Sequence, residues 1–193
     1  MTIEIYESGS EPGDREALAL LATGRGSLAF LLGNEDVRFR LFSRRINWDR
    51  VLIARLDGKA VGFLAFQWAG KGPYTPEIDD FVREFGTVSG VVRYVLNSLL
   101  ELRTRRQGFY VYGLKVIPEA RRRGIARSLL LAAERRAISL DAGAVQLEVY
   151  DTNARALAFY QAQGYKVDGA WRLGGISRWL KFSAVLHLVK SLR

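Results

Sequence analysis

The run Val116-Ile117-Pro118-Glu119-Ala120-Arg121-Arg122-Arg123-Gly124-Ile125-Ala126-Arg127 places a strand, a proline breaker, a basic turn and a helix start in succession. That order suits a bound phosphate. The first backbone N–H groups of a helix have no internal partners and lie at the positive end of its dipole, so a diphosphate can accept several hydrogen bonds there. Gly124 and the small Ala126 let phosphates approach the backbone, and the arginines add charge. An exposed helix dipole is worth only about 0.3–1 kcal/mol, so several N–H groups together must supply the specificity. The competing reading is that three consecutive arginines form nothing more than a solvated turn.

Other chemistry is narrowed by what the chain lacks. There are no cysteines, which removes disulfides, thiolate metal sites and a cysteine nucleophile. His187 is the only histidine, with no evident partner nearby, so clustered imidazole metal sites and most serine-histidine triads fall away. No metal is expected. What remains is positioning, hydrogen bonding and carboxylate chemistry. Glu148 lies on a strand after the basic turn and is a candidate base for a reaction that releases a proton, or a plain surface residue; water or solvent could equally take such a proton. The formal charge of +9 asks for an anionic partner, whether nucleic acid, a membrane surface or a phosphorylated small molecule. Glu77, Asp79, Asp80 and Glu84 could attract a cationic substrate or simply be exposed helix carboxylates.

These residues need elements to hold them. Helices are expected over Asp14–Thr23, with Asp14 as cap, and over Glu35–Arg45. Val51–Arg55 and Ala60–Gln67 read as strands joined by Leu56-Asp57-Gly58-Lys59, a tight-turn signal. Trp68–Pro76 reads as loop. Val88, Val91, Val92, Val95, Leu96, Leu99 and Leu100 recur at helical spacing, predicting a long helix to about Arg103 whose stripe is core, though such a helix could also present a homodimer face. Strands follow at Phe109–Ile117, Val145–Tyr150, from Tyr165 and at Ala184–Val189, with helices over Gly124–Ser139 and Asn153–Gln163. The alternation predicts one α/β domain over residues 1–193, a mixed central sheet flanked by helices. The amino terminus lacks a signal-peptide pattern and no apolar run reaches the roughly 20 residues of a membrane span, so a cytoplasmic protein is expected.

The motif Arg121-Arg122-Arg123-Gly124-Ile125-Ala126 resembles the phosphate-loop signature of the GNAT superfamily of acyl-CoA-dependent N-acyltransferases. A second signature follows at Asn153-Ala154-Arg155-Ala156-Leu157-Ala158-Phe159-Tyr160, then Gln161-Ala162-Gln163-Gly164-Tyr165. The resemblance covers about Val51 to Val167, interrupted by a helical insertion at about 70–108 between the third and fourth strands, which is expected to shape the acceptor pocket.

The resemblance implies an acetyltransferase using acetyl-CoA as cosubstrate, with direct transfer to a primary amine in a ternary complex. It implies that the backbone at Leu114 and Val116 receives the pantetheine arm and the acyl carbonyl, and that residues 121–127 hold the diphosphate. Asn153 would start a helix and contact the coenzyme. Tyr160 would reach the departing sulfur, where a half-buried aromatic is the alternative. Coenzyme A is itself polyanionic, so the basic surplus from Arg103 to Arg136 needs no nucleic acid and no membrane. The acceptor would be a small molecule or peptide amine. No carboxylate lies on Phe109-Tyr110-Val111-Tyr112-Gly113, where some relatives carry a glutamate, so the alternative is a non-catalytic acyl-CoA sensor.

Overall fold

The computed structural model describes residues 3–7, 15–105, 108–172 and 182–192, with the side chains of 7, 27 and 103–105 excepted. The elements run β1 (Ile3–Glu7), α1 (Arg15–Ala22), α2 (Ala29–Leu32), α3 (Glu35–Phe42), β2 (Val51–Leu56), β3 (Lys59–Gln67), α4 (Ile78–Phe85), α5 (Thr87–Arg105), β4 (Phe109–Val116), α6 (Ile125–Ser139), β5 (Ala144–Tyr150), α7 (Ala154–Ala162), β6 (Lys166–Arg172) and β7 (Ala184–Ser191). The expected elements are present within a few residues of their expected ends. The expected cap Asp14 lies outside the described residues.

Among the described residues seven strands form one sheet in the order β1-β2-β3-β4-β5-β7-β6. Only β4 and β5 run parallel among the described strands, which makes the sheet mixed. The β2–β3 turn has Asp57 at φ 50° and Gly58 at φ 82°, both left-handed, as a tight hairpin of this type requires.

Apolar alternation on the strands feeds both faces. On one face α6 lays Ile125, Leu129, Ala133 and Ala137 against Leu64, Phe109, Val111, Val145 and Leu147. On the other, α1 packs Ala17 and Leu21 over Ile53, Phe63 and Ala65. Beyond α1, Leu41, Phe42, Tyr74 and Phe81 join α3 and α4 in a further cluster.

The opening of the sheet positions the site. β4 and β5 pair only where Phe109–Val111 face Val145–Leu147. Past that point β4 stays with β3 and β5 stays with β7. The β3–β4 register steps from Ala65↔Gly113 to Phe66↔Val111, leaving Tyr112 as a bulge residue. A bulge bends and overtwists its strand, and here it accompanies the parting of β4 from β5.

The insertion between β3 and β4 differs from expectation in two ways. It holds two helices, α4 and α5, because Pro76 precedes and Gly86 separates an eight-residue amphipathic segment, and Glu77 and Asp80 form a reciprocal capping box at its start. More importantly, the apolar stripe of α5 is not core. Gly90 faces α4 so closely that a Cβ there would stand 2.6 Å from the Phe81 carbonyl oxygen. That contact, together with buried Asn97 and Glu101, turns the polar side of α5 inward. Val88, Val92, Val95, Leu96, Leu99 and Leu100 are all exposed. Among the described residues no helix is long and apolar enough to cross a membrane.

Candidate functional site

The turn between β4 and α6 builds a cradle. After Val116, a short 3₁₀ turn over Pro118–Ala120 hands the chain to Arg121. Arg121 Nε donates to the Val116 carbonyl at 3.1 Å, closing the turn. Arg122 at φ 62° and Gly124 at φ 79° are left-handed, so the chain turns sharply into α6. Gly124 is the N-cap and offers no side chain to the helix start. The first helical bond runs from Ser128 N–H to the Gly124 carbonyl at 3.0 Å. The N–H groups ahead of it are therefore outside the helical ladder and gather at the positive end of the dipole. A Cβ added at Gly124 would meet nothing within 4 Å, so the cradle is open above it.

This cradle is one end of a cleft of about 500 Å³ that runs along the splayed end of β4 to α7. Asn153 caps α7, its Oδ1 accepting from Ala156 N–H at 3.1 Å, so the helix-start role expected of it is present. Tyr160 lies on the inner face of the same helix, packed against Phe159 and Tyr165 at ring separations of 5.1 and 5.7 Å. Among the described residues the Tyr160 hydroxyl has no hydrogen-bond partner. Burial disfavours the phenolate and pushes its pKa up to about 12. Tyr165, next along, fixes this corner: its hydroxyl donates to Glu134 Oε1 at 3.2 Å, while Lys190 Nζ donates to Glu134 Oε2 at 2.7 Å.

A second cavity of about 210 Å³ opens beside the parting of β4 and β5. Tyr110 and Tyr112 of β4 line it with Glu148 and Tyr150 of β5, together with Arg25 and with Leu100 from α5. The Arg25 guanidinium lies 5.5–5.9 Å from the rings of Phe42, Tyr74 and Tyr112. Its Nη1 also donates to Glu101 Oε1 at 3.0 Å, with both side chains nearly buried. Arg25 itself is left-handed at φ 56°, a strained geometry for a residue with a Cβ.

Most sequence-derived candidates thus meet in the first cleft. Leu114, Val116, Arg121, Arg122, Gly124, Ile125, Ala126, Arg127, Asn153 and Tyr160 all line it. Arg123 does not; it is exposed beside the cradle. Glu148 stands apart from this group, half-buried in the second cavity.

Two other expectations change. Three of the four carboxylates of the acidic cluster are engaged in structure, with Arg45 bridging Glu77 and Asp80 and with Arg40 holding Glu84, while Asp79 is exposed. His187 has partners after all: Nε2 meets Gln146 Oε1 at 3.1 Å and Nδ1 lies 3.7 Å from Asp168. The strand register creates these contacts, which sequence distance conceals. Sequence reasoning missed Arg25, Tyr110, Tyr112 and Tyr150 as a set. The alternation of three tyrosines on two strands was the available signal, but only the parting of the sheet brings them together.

Residues 28–165 match the pattern of the acetyltransferase (GNAT) family. Over 68 residues the chain is 37% identical to L-ornithine N5-acetyltransferase NATA1 of Arabidopsis thaliana, covering 35% of this chain and 30% of that protein. Over 67 residues it is 40% identical to the peptidyl-lysine N-acetyltransferase YiaC of Escherichia coli K12, covering 34% of this chain and 42% of that protein. The chain therefore matches less than half the length of either relative. The fold is similar to the crystal structure of SsHAT, with a TM-score of 0.64, 15% identity and 100% of both chains covered. With the cradle, the cleft and the parted strands in place, the match over residues 28–165 makes this chain a member of the GNAT acetyltransferase family.

Proposed function

We propose that the chain transfers an acetyl group from acetyl-CoA to a primary amine of a small molecule or peptide, by direct attack within a ternary complex. The observation that carries this reading is the pairing of two cavities at one parting of the sheet. The first has a phosphate cradle at one end and Tyr160 at the other, and the second is walled by tyrosines and Glu148. The basic turn and α6 start hold the coenzyme diphosphate. The freed edge of β4 near Leu114 and Val116 offers backbone groups to the pantetheine arm and polarises the thioester carbonyl. The surplus positive charge is thereby assigned to the coenzyme rather than to nucleic acid or membrane.

The amine enters from the second cavity. Its nitrogen forms the new C–N bond at the acyl carbon, the C–S bond breaks, and the amine proton passes to Glu148 or onward to solvent. Positioning supplies most of the acceleration, because a thioester carbonyl is already activated. Tyr160 donates a hydrogen bond to the developing thiolate. With its pKa near 12, full proton donation to a thiolate whose conjugate thiol has a pKa of about 8.5 would be uphill by about 5 kcal/mol, so the hydroxyl keeps its proton.

Release of free thiol from acetyl-CoA, followed across a panel of chemically diverse amines, tests this reading. Faster release with the protein than without supports it. Tight acetyl-CoA binding in calorimetry without transfer to any amine would make the chain a binding module instead.

A further inference from the structure

The outward side of α5 carries Val88, Val92, Val95, Leu99 and Leu102, spaced by four, three, four and three residues. This is the a/d repeat of a helix that pairs with another helix, widened here by exposed Leu96 and Leu100 beside it. All five side chains are exposed, from 47% for Val95 to 79% for Val88. The same helix buries Asn97 and Glu101, so its polarity is inverted relative to what a monomer surface asks for. The seam continues into an apolar groove of about 720 Å³ between α5, Phe30 of α2 and Trp171 of β6. Trp171 and Phe30 are 60% and 64% exposed.

We infer that this face is the interface of a homodimer, in which α5 of one chain packs against α5 of a second copy about a two-fold axis. Three observations favour a second copy over another occupant. A heptad seam is complementary to itself, and a two-fold contact sets the same patch against its own copy. The flanks Ser89, Val91, Leu96 and Ser98 are uncharged, and Arg103 and Arg105 flank only the last seam position, so an antiparallel pair of chains of net charge +9 keeps its two arginine-bearing ends apart. The area also fits. The exposed valines and leucines of the seam, with Phe30 and Trp171 at the groove, make a contiguous apolar patch at or above the ~300–600 Å² typical of a monomer's largest patch, approaching the ~800 Å² that one partner contributes to a standard interface. Leu100 of α5 borders both this groove and the tyrosine-lined cavity, so the partner's helix would sit behind one wall of that cavity. The inference does not depend on the proposed transfer reaction.

Sedimentation and cysteine cross-linking test it without an activity readout. The full chain should sediment at twice the monomer mass at micromolar concentration, and Val92→Glu with Leu99→Glu should sediment as a folded monomer with an unchanged circular dichroism spectrum. Because the chain has no cysteine, a single Val95→Cys or Leu99→Cys variant should form a disulfide-linked dimer on mild oxidation, while Ser139→Cys on the exposed end of α6 should not. A wild-type chain that stays monomeric to submillimolar concentration overturns the inference. So does a charged double variant that remains dimeric, or one that fails to fold, since failure to fold would mean that the face is covered within a single chain. Monomers that sediment with anionic lipid vesicles would reassign the face to a membrane.

Discussion

Arg121 Nε donates to the Val116 carbonyl at 3.1 Å, tying the first arginine of the basic turn to the last residue of β4. This arginine braces the cradle as well as charging it. Without the brace, the left-handed run at Arg122 and Gly124 loses a fixed point. A hydrogen bond from a charged donor is worth about 1.5–3 kcal/mol, and Arg121 is exposed, so the lower end applies. Arg121→Ala should raise the acetyl-CoA Kd about tenfold while leaving the KM for the amine nearly unchanged. Arg121→Lys should recover only part of the loss, because the planar Nε donor is gone. Calorimetry with acetyl-CoA on both variants measures this; equal affinities for Lys and Ala would show that charge contributes nothing at this position.

At Gly124 the structure separates backbone strain from electrostatics. A Cβ there meets nothing within 4 Å, yet φ is 79°. Gly124→Ala should therefore cost only the left-handed strain, about 1–2 kcal/mol of stability, with a modest loss of coenzyme affinity. Gly124→Glu carries the same strain and adds a carboxylate at the mouth of the cradle, where the diphosphate belongs. Its coenzyme affinity should fall about a hundredfold or more, at a thermal midpoint close to that of the alanine variant. Comparable affinities in the two variants would place the diphosphate elsewhere.

The first cleft was legible in the sequence because its parts are contiguous. Strand, breaker, arginines, glycine and helix start follow one another from Val116 to Arg127, and Asn153 and Tyr160 share one short helix. The second cavity was not, because Arg25, Leu100, Tyr112 and Glu148 come from four separate stretches joined only by the parting of β4 and β5. The α5 stripe shows a further limit. Helical periodicity reports that Val88 to Leu100 share a side, but which side faces inward is decided by Gly90 against Phe81 and by Glu101 against Arg25, both tertiary contacts. The same holds for Glu77 and Glu84 of the acidic cluster, whose arginine partners lie 32 and 44 residues away.

Tyr160→Phe tests the assignment of the leaving-group donor. The variant keeps the ring packing against Phe159 and Tyr165, so acetyl-CoA affinity and the melting temperature should change little. Loss of one hydrogen bond to a developing anion should lower kcat by about 10- to 100-fold. Burial raises the phenol pKa to about 12; the protonated, donating form is fully present below that value and lost only above it. The wild-type kcat should therefore show no alkaline limb from this group up to about pH 11. A wild-type limb near pH 10 that vanishes in Tyr160→Phe would contradict a buried hydroxyl, and unchanged turnover would remove Tyr160 from the reaction.

The ion pair between Arg25 and Glu101 joins the insertion to the wall of the second cavity, and it makes a prediction about the acceptor side alone. Glu101 Oε1 receives Arg25 Nη1 at 3.0 Å and lies 3.4 Å from Asn97 Nδ2 on the same helix. Glu101→Ala would leave a guanidinium nearly buried without its carboxylate, which typically costs about 3–5 kcal/mol. Glu101→Gln keeps the shape and a hydrogen-bonding oxygen, so the fold should tolerate it better. The charge balance beside the cavity still changes: Arg25 becomes uncompensated across from Glu148, and an incoming ammonium meets a net repulsion it did not meet before. Glu101→Gln should therefore raise the amine KM about five- to tenfold, with the acetyl-CoA Kd unaltered, and the effect should shrink as salt is added. Steady-state kinetics at two ionic strengths decides the point. A rise in KM that ignores salt would mean that Glu101 acts by holding shape rather than charge, and no rise at all would detach the insertion from acceptor recognition.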